Sequence, residues 1–239
     1  MLVGVFAALP VALVLGSSFI GRDVVRGIVS GLILAVGLAV VYRAMALSSS
    51  AVVAPTAAVL AALVPLVWDL AGGTRLTTLE TLGCLIALLS LVLTTINPDL
   101  GDRVRQGLVL ALGGGVLFGI SIVVAADTSE ASGAWPAVSQ RAGGFVAMAA
   151  LAQARRVPVM LAPDVRKFGV GGGIAGALGM VCWIMGAQLG DVGTVSVVGS
   201  TYPAVVVVLA ARFDDDVVKW WQALGIVGAI TGSALLALG

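Results

Sequence analysis

Long apolar segments occupy almost the whole of this chain, and they are what most constrains its fold. Hydrophobic residues make up 60% of the sequence and charged residues only 10%, whereas about 25% charged residues is usual for soluble domains. So few charges cannot cover a globule with polar surface, and the solvent must therefore be lipid. Segments that cross a bilayer are helices or closed barrels, because lipid offers backbone groups no water. The runs lack the alternation of barrel strands, which predicts an all-α integral membrane protein.

Charged residues and clusters of Gly, Pro and Ser divide the apolar sequence into segments of about membrane-spanning length. The nine predicted helices are residues 2–19, 24–47, 51–71, 78–97, 105–126, 135–155, 166–189, 193–212 and 218–238. The first segment has no basic residues ahead of it, which favours a membrane helix containing Pro10 over a signal peptide.

The two halves of the chain resemble one another at a constant offset of 142 residues. The stretch from Tyr42 to Gly83 returns in degenerate form from Ile184 to Gly225. Matches among Val, Leu and Ala are expected by chance in an apolar chain, so the matched glycines carry the argument. The glycine pairs are Gly27 with Gly169, Gly31 with Gly173, Gly37 with Gly179 and Gly83 with Gly225. This pattern predicts a duplicated structural unit.

The predicted helix at 105–126 has no counterpart in the first half. We therefore expect a first repeat of four helices in residues 1–97 and a second repeat of five in residues 98–239, together forming one transmembrane domain. A complete unit of five helices crosses the membrane an odd number of times, so two units in series have opposite orientations. This inverted-repeat arrangement is frequent among secondary transporters.

Several motifs in both halves occur in an order that points to a known family. In the first half, a glycine-rich helix, a helix bearing Pro55 and the hinge sequence GTRLTTLETLG follow one another. In the second half, Pro203 and the sequence QALG occupy the matching positions, whereas Asp215, Asp216 and Val217 depart from the family's usual Gly-Glu-Arg. The pattern resembles the EamA type of the drug/metabolite transporter superfamily. The resemblance implies ten helices in two inverted five-helix repeats.

The same resemblance implies that this sequence lacks the first transmembrane helix of the family. At the repeat offset Met1 aligns with Gly143, in the middle of a helix. We therefore expect the natural product to begin upstream of Met1. The alternative is a genuine nine-helix protein that forms a homodimer through small-residue faces such as Gly27 and Gly31.

Enzymatic chemistry lacks its usual residues in this sequence. There is no His, and no Ser or Cys lies beside a plausible base, so acid–base and nucleophilic catalysis are not supported. Cys84 and Cys182 lie in separate apolar runs, and we interpret them as core thiols rather than as a disulfide or a metal-binding pair. No metal and no cofactor is predicted. The net charge of +1 argues against a nucleic-acid partner. The glycine triplets at 113–115 and 171–173 are interpreted as packing positions, since no Lys-Ser/Thr follows them.

Polar residues near the middle of predicted helices are the candidates for a substrate cavity, because polar groups at that depth are costly unless they face a cavity or a partner. Tyr202 lies at the centre of the predicted helix 193–212, next to Ser200, Thr201 and Pro203. These groups contact either a substrate or a neighbouring helix. Thr56 is the comparable residue in the first repeat.

Three further candidates are Trp183, Gln140 and Arg141. Trp183 either stacks on a flat substrate or packs in the core or against lipid. Arg141, one to two turns inside its helix with Gln140, either extends to the nearer interface or lines the cavity entrance and attracts anions. No acidic residue lies at the centre of a predicted helix, which disfavours a carboxylate relay for protons.

The sequence predicts a multi-pass protein of the cell (inner) membrane that moves a small metabolite or drug-like molecule by alternating access between two inverted repeats. The alternative is a membrane scaffold without transport activity or an inactive family member.

Overall fold

A computed structural model describes residues 1–73, 77–95, 102–158, 162–188 and 220–238. These residues form eight α-helices and one short 3₁₀ helix at Glu130–Ser132, and they contain no strand. The helices are α1 (Leu2–Val14), α2 (Gly21–Met45), α3 (Ser50–Ala71), α4 (Thr78–Thr95), α5 (Asp102–Ala126), α6 (Trp135–Ala154), α7 (Pro163–Gln188) and α8 (Trp220–Leu238). The predicted all-α class is confirmed for the described residues, while the predicted helix 193–212 lies outside them.

Three of the described helices are long and apolar enough to cross a membrane: Gly21–Met45, Asp102–Ala126 and Pro163–Gly186. The described part of α1, α3, α4 and α8 contributes shorter apolar stretches. Their composition agrees with the lipid environment that the sequence predicts.

The predicted end of α1 and the predicted start of α2 differ from the structure by five and three residues. α1 ends at Val14 rather than at residue 19 because Gly16 adopts a positive φ of 64°, and the Ser17 amide then donates to the Ala12 carbonyl. A glycine in this left-handed conformation commonly ends a helix. α2 begins at Gly21 rather than at residue 24, so Asp23 lies inside its first turn.

The start of α4 is fixed by a capping box. The Glu80 carboxylate accepts a hydrogen bond from the Thr77 amide at 2.6 Å, and the Thr77 hydroxyl accepts one from the Glu80 amide at 3.1 Å. This reciprocal pair satisfies two amides that have no partner inside the helix. It explains why the helix begins at Thr78, as the sequence predicts.

The described chain divides into two compact units that do not coincide with the predicted repeats. Unit 1 comprises Met1–Val36 and Ser121–Asp191, and unit 2 comprises Gly37–Ile120 and Val192–Gly239. Residues of α2 and of α5 contribute to both units. Each unit draws on both halves of the sequence, and the division into repeats at 97/98 stays a prediction.

In unit 1, glycines bring the backbones of α2 and α6 into contact. A Cβ atom added at Gly31 would lie 2.8 Å from the carbonyl carbon of Gln140 and 2.9 Å from the Gly144 nitrogen. One added at Gly143 would lie 2.5 Å from the Ile28 oxygen. Gly27 and Gly31 are buried in this contact, so the small-residue face that the dimer alternative exposes to a partner is covered within the chain. That form of the dimer hypothesis was wrong.

An apolar core joins α1, α6 and α7 in the same unit. Its buried members are small or β-branched residues, namely Ala8, Ala12, Ala134, Ala137, Val138, Val181 and Ile184. The small side chains let the three helices approach closely, as in other helix bundles that pack in lipid.

In unit 2, glycines of α5 and α8 have the same role. A Cβ atom at Gly115 would lie 2.5 Å from the Ala57 oxygen on α3, and one at Gly232 would lie 2.7 Å from the Ala87 nitrogen on α4. Gly114 contacts Val41. The packing interpretation of the first glycine triplet is confirmed for Gly114 and Gly115.

The second glycine triplet and the cysteines behave differently from the prediction. Gly173 packs near Val3, but a Cβ atom at Gly171 or Gly172 would meet no described atom within 4 Å. Cys84 is half-buried and Cys182 is exposed on α7, and both are free thiols. The description of Cys182 as a core thiol was therefore wrong, because its side of α7 carries little side-chain packing among the described residues.

Candidate functional site

A buried polar cluster joins three helices inside the apolar unit 1. Ser30 on α2, Ser121 on α5 and Gln140 on α6 expose at most 2% of their surface. The two serine oxygens lie 2.8 Å apart, and the Gln140 amide nitrogen donates to the Ser30 hydroxyl at 2.9 Å. Such contacts satisfy polar groups that lipid cannot. The cluster therefore ties together helices that are far apart in the sequence.

One acceptor in this cluster has no partner. The side-chain oxygen of Gln140 is buried and receives no hydrogen bond from any described residue. Buried polar atoms in native proteins are almost always hydrogen-bonded, so an unpaired amide oxygen is a position for a further donor. Gln140 was predicted as a cavity residue, and the structure places it beside an incomplete hydrogen-bond network.

Arg141 is the next residue on α6, and its side chain extends away from the Ser30–Ser121–Gln140 cluster, between α1 and α7. One terminal nitrogen donates to the Gly176 carbonyl on α7, and the other lies 3.7 Å from the Met1 sulfur. Its Nε atom is buried without a hydrogen-bond partner among the described residues. The side chain passes close to Gly4, where an added Cβ atom would lie 3.2 Å from the Arg141 Cδ. Glycine on α1 thus makes room for the arginine.

A charged network lies where α2 begins, beside the segment that joins α5 to α6. The Asp23 carboxylate is fully buried and accepts hydrogen bonds from the Ser129 amide at 3.0 Å and the Ser129 hydroxyl at 2.7 Å. Arg26 pairs with the Asp127 carboxylate and also donates to its carbonyl. Arg22 lies 3.5 Å from the other Asp23 oxygen. These contacts hold residues 127–129 against the first two turns of α2.

Gln188, at the end of α7, borders a small recess near the same segment. Its amide nitrogen donates to the Gly133 carbonyl at 3.1 Å. The recess has a volume of about 200 Å³ and is also lined by Ser17, Glu130 and Met185. Its size suits a few water molecules or a small polar group, and it lies entirely within unit 1.

The remaining sequence candidates do not join this cluster. Trp183 is partly buried and packs against the apolar core of α1, α6 and α7. Thr56 is fully buried in unit 2 and donates to the Val52 carbonyl of its own helix at 2.8 Å. Ser200, Thr201 and Tyr202 lie outside the described residues, so their role at a cavity stays a prediction.

Sequence reasoning missed Ser30, Ser121 and Asp23. Each serine stands alone in an apolar helix, and a single hydroxyl there is compatible with a bond to its own backbone, as Thr56 makes. Asp23 lies just before the predicted helix 24–47 and was not considered as a site residue. The signal that was available is depth: Ser30 lies 10 residues into α2 and Ser121 20 residues into α5.

Among the described residues, no three His, Cys, Asp or Glu side chains come close enough to hold a metal ion. The site residues instead provide hydroxyl, amide and guanidinium groups. These groups donate and accept hydrogen bonds and, at Arg141, carry a positive charge.

Comparison with known proteins assigns the chain to a family. The model of the EamA-like transporter family matches residues 105–238, more than half of the sequence. The chain belongs to the EamA-like transporter family. The match includes α5, α6, α7 and α8, and hence Ser121, Gln140 and Arg141. No curated protein and no solved structure matches the chain.

Membership in the EamA-like family agrees with the apolar composition and with the three helices that could cross a membrane. Proteins of this family are membrane transporters rather than enzymes. The family resemblance inferred from the sequence motifs is confirmed.

Proposed function

We propose that this EamA-like protein moves a small metabolite or drug-like molecule across the cell (inner) membrane by alternating access between two inverted repeats. The observation that carries the proposal is the family match over residues 105–238. Secondary transporters with such repeats expose a binding site to each side of the membrane in turn.

The polar residues of α6 support a solute pathway in unit 1. Gln140 presents an unpaired buried acceptor, and Arg141 presents a donor without a partner. Ionisable and polar side chains within membrane helices face a bundle interior or a water-filled cavity and mark substrate pathways. Ser200, Thr201 and Tyr202 are proposed as further substrate contacts from their place in the sequence alone.

The test is transport by the purified full chain in liposomes. Counterflow of a radiolabelled panel containing neutral, zwitterionic and anionic metabolites should show accumulation of at least one class above protein-free liposomes. Excess unlabelled compound should release the accumulated label. If no member of a broad panel accumulates while the protein remains monodisperse, the scaffold or inactive-member alternative is favoured.

A further inference from the structure

The guanidinium of Arg141 lies among α1, α6 and α7 and has no described carboxylate beside it. Arg22 and Arg26 each lie within ion-pair distance of an aspartate, Asp23 or Asp127. Arg141 forms no ion pair with any described acidic residue, and its two named contacts are a backbone carbonyl and a thioether sulfur. Arg22 and Arg26 therefore each have an aspartate partner in this unit, whereas Arg141 has no described acidic partner.

Arginine carries five N–H donors in a planar fork and has no acceptor. Only the Gly176 carbonyl is a strong acceptor for Arg141 among the described residues, and the buried Nε–H is unpaired. A cation that leaves water without an anion is costly, and the cost is greatest in a chain that works in lipid. The missing partner of Arg141 is therefore expected to be an anion that the described chain does not provide.

The surface of α7 next to the guanidinium has room for such a partner. Gly172, Gly176 and Gly179 lie on one helix face, because they are spaced by four and three residues. A Cβ atom at Gly172 or Gly179 would meet nothing within 4 Å in the described structure. At Gly176 it would meet only the two terminal nitrogens of Arg141, at 3.8 and 4.0 Å. The guanidinium thus borders a helix face on which three successive positions carry no side chain.

We propose that Arg141 binds the carboxylate or phosphate group of the transported molecule, so that the substrate is an organic anion or a zwitterion with an oxyanion group. This inference rests on the proposed transport function and adds a substrate class to it. The guanidinium fork matches both oxyanions, because it donates two parallel hydrogen bonds to a pair of oxygens. The two terminal nitrogens, which border the open position at Gly176, supply the fork.

The test measures binding rather than transport. Thermal unfolding of the full chain in a neutral maltoside detergent is followed with benzoate, with inorganic phosphate and with the uncharged analogue benzamide, at constant ionic strength. A ligand that binds only the folded state raises the unfolding temperature in proportion to the logarithm of its concentration above Kd. Benzoate or phosphate should raise the unfolding temperature by several degrees, and benzamide should not. Equal shifts with benzoate and benzamide would overturn the proposal.

Two variants and one control locate the effect at Arg141. Arg141→Gln should abolish the anion-dependent shift, and Arg141→Lys should weaken apparent affinity at least about fivefold, because an ammonium group lacks the planar fork. Arg155→Gln, at an exposed arginine just beyond the end of α6, should retain the full shift. An anion shift that persists in Arg141→Gln refutes the assignment. If that variant fails to fold, unchanged affinity in Arg141→Lys refutes it instead.

A lipid phosphate has the same chemistry as a free one, so a second arm adds phosphatidylglycerol to the detergent. Stabilisation by the lipid alone, with no response to benzoate or phosphate, would identify a headgroup site and overturn the substrate assignment. Transport of neutral solutes without any anion shift refutes the anion inference but leaves the transporter proposal intact. If anions raise the unfolding temperature through Arg141 but no uptake is found, the anion site is supported and only the transport proposal is contradicted.

Discussion

Ser30 and Ser121 donate hydrogen bonds to each other's backbone carbonyls from two helices that are 91 residues apart in the chain. The Ser30 hydroxyl donates to the Ser121 carbonyl at 2.9 Å, and the Ser121 hydroxyl donates to the Ser30 carbonyl at 3.0 Å. The Gln140 amide adds a third helix through the Ser30 oxygen. In lipid, where apolar side chains gain little from associating, such polar contacts and close packing hold helices together.

Replacing Ser30 should therefore destabilise the protein more than its small size suggests. Ser30→Ala removes the acceptor of the Gln140 amide nitrogen and the hydroxyl that donates to the Ser121 carbonyl, and unpaired buried groups cost about 1–3 kcal/mol. The free energy of unfolding in mixed micelles, measured by denaturation with SDS, should fall by that amount. Ser139→Ala is the matched control, because among the described residues the Ser139 hydroxyl donates only to the carbonyl of Pro136 in its own helix. Equal losses in both variants would contradict the role of the cluster.

The contact between α2 and α6 predicts a contrast between two glycine substitutions. Gly31→Ala should lower the free energy of unfolding by about 1–3 kcal/mol, the usual cost of overpacking, because the new methyl group meets the backbone of α6. Gly172→Ala meets no described atom and should be neutral or stabilising by up to about 1 kcal/mol through helix propensity. The same denaturation assay measures both. If the two variants have the same free energy of unfolding, then α2 and α6 can move apart to admit the methyl group without loss of stability, and the close contact does not stabilise the protein.

Two aspartates at the start of α2 and the end of α5 should differ in their importance. The Asp23 carboxylate is buried and accepts two hydrogen bonds from Ser129, whereas the Asp127 side chain is 69% exposed. Hydrogen bonds to buried charged groups contribute about 1.5–3 kcal/mol, while exposed ion pairs contribute about 0–1 kcal/mol. Asp23→Ala should therefore destabilise the protein by at least about 1 kcal/mol more than Asp127→Ala. The reverse order in thermal unfolding would show that the exposed pair, and not the buried carboxylate, holds the segment.

The sequence predicted the helices well and the site poorly, for a physical reason. Apolar runs and capping residues such as Thr77 and Glu80 act locally, so helices can be read from neighbouring residues. The partner of Ser30 lies 91 residues away and that of Gln140 lies 110 residues away. Nothing in the local sequence shows that they meet. Arg141 and Gln140 were recognised because charged and amide groups are conspicuous in apolar helices, whereas an isolated serine is not.

The end of α1 shows a local failure of the same approach. Gly16, Ser17 and Ser18 lie inside the predicted first helix, residues 2–19. In the structure the positive φ of Gly16 ends the helix, and Ser17 instead accepts hydrogen bonds from Ala134 and Trp135 at its hydroxyl and carbonyl oxygens. Those partners are contributed by α6 and the residue before it, so the boundary depends on tertiary structure.

Tyr202 provides the most direct test of the cavity within the matched family region. It lies at the centre of the predicted helix 193–212 and precedes Pro203, which cannot donate a backbone hydrogen bond and so interrupts the helical ladder. We expect Tyr202→Ala to lower uptake in proteoliposomes by up to about tenfold, the effect of losing one substrate hydrogen bond of about 1 kcal/mol together with ring contacts.

Tyr42→Ala is the matched control for Tyr202→Ala, because Tyr42 is the only other tyrosine of the sequence and is 62% exposed on α2. It should retain wild-type uptake of whichever panel compound accumulates. Size-exclusion chromatography of both variants separates a loss of transport from a loss of folded protein. A monodisperse Tyr202→Ala protein with unchanged uptake would remove Tyr202 from the cavity. Gln140 and Arg141 on α6 would then be the proposed substrate contacts to replace next, since both lie in the described structure with unpaired buried atoms.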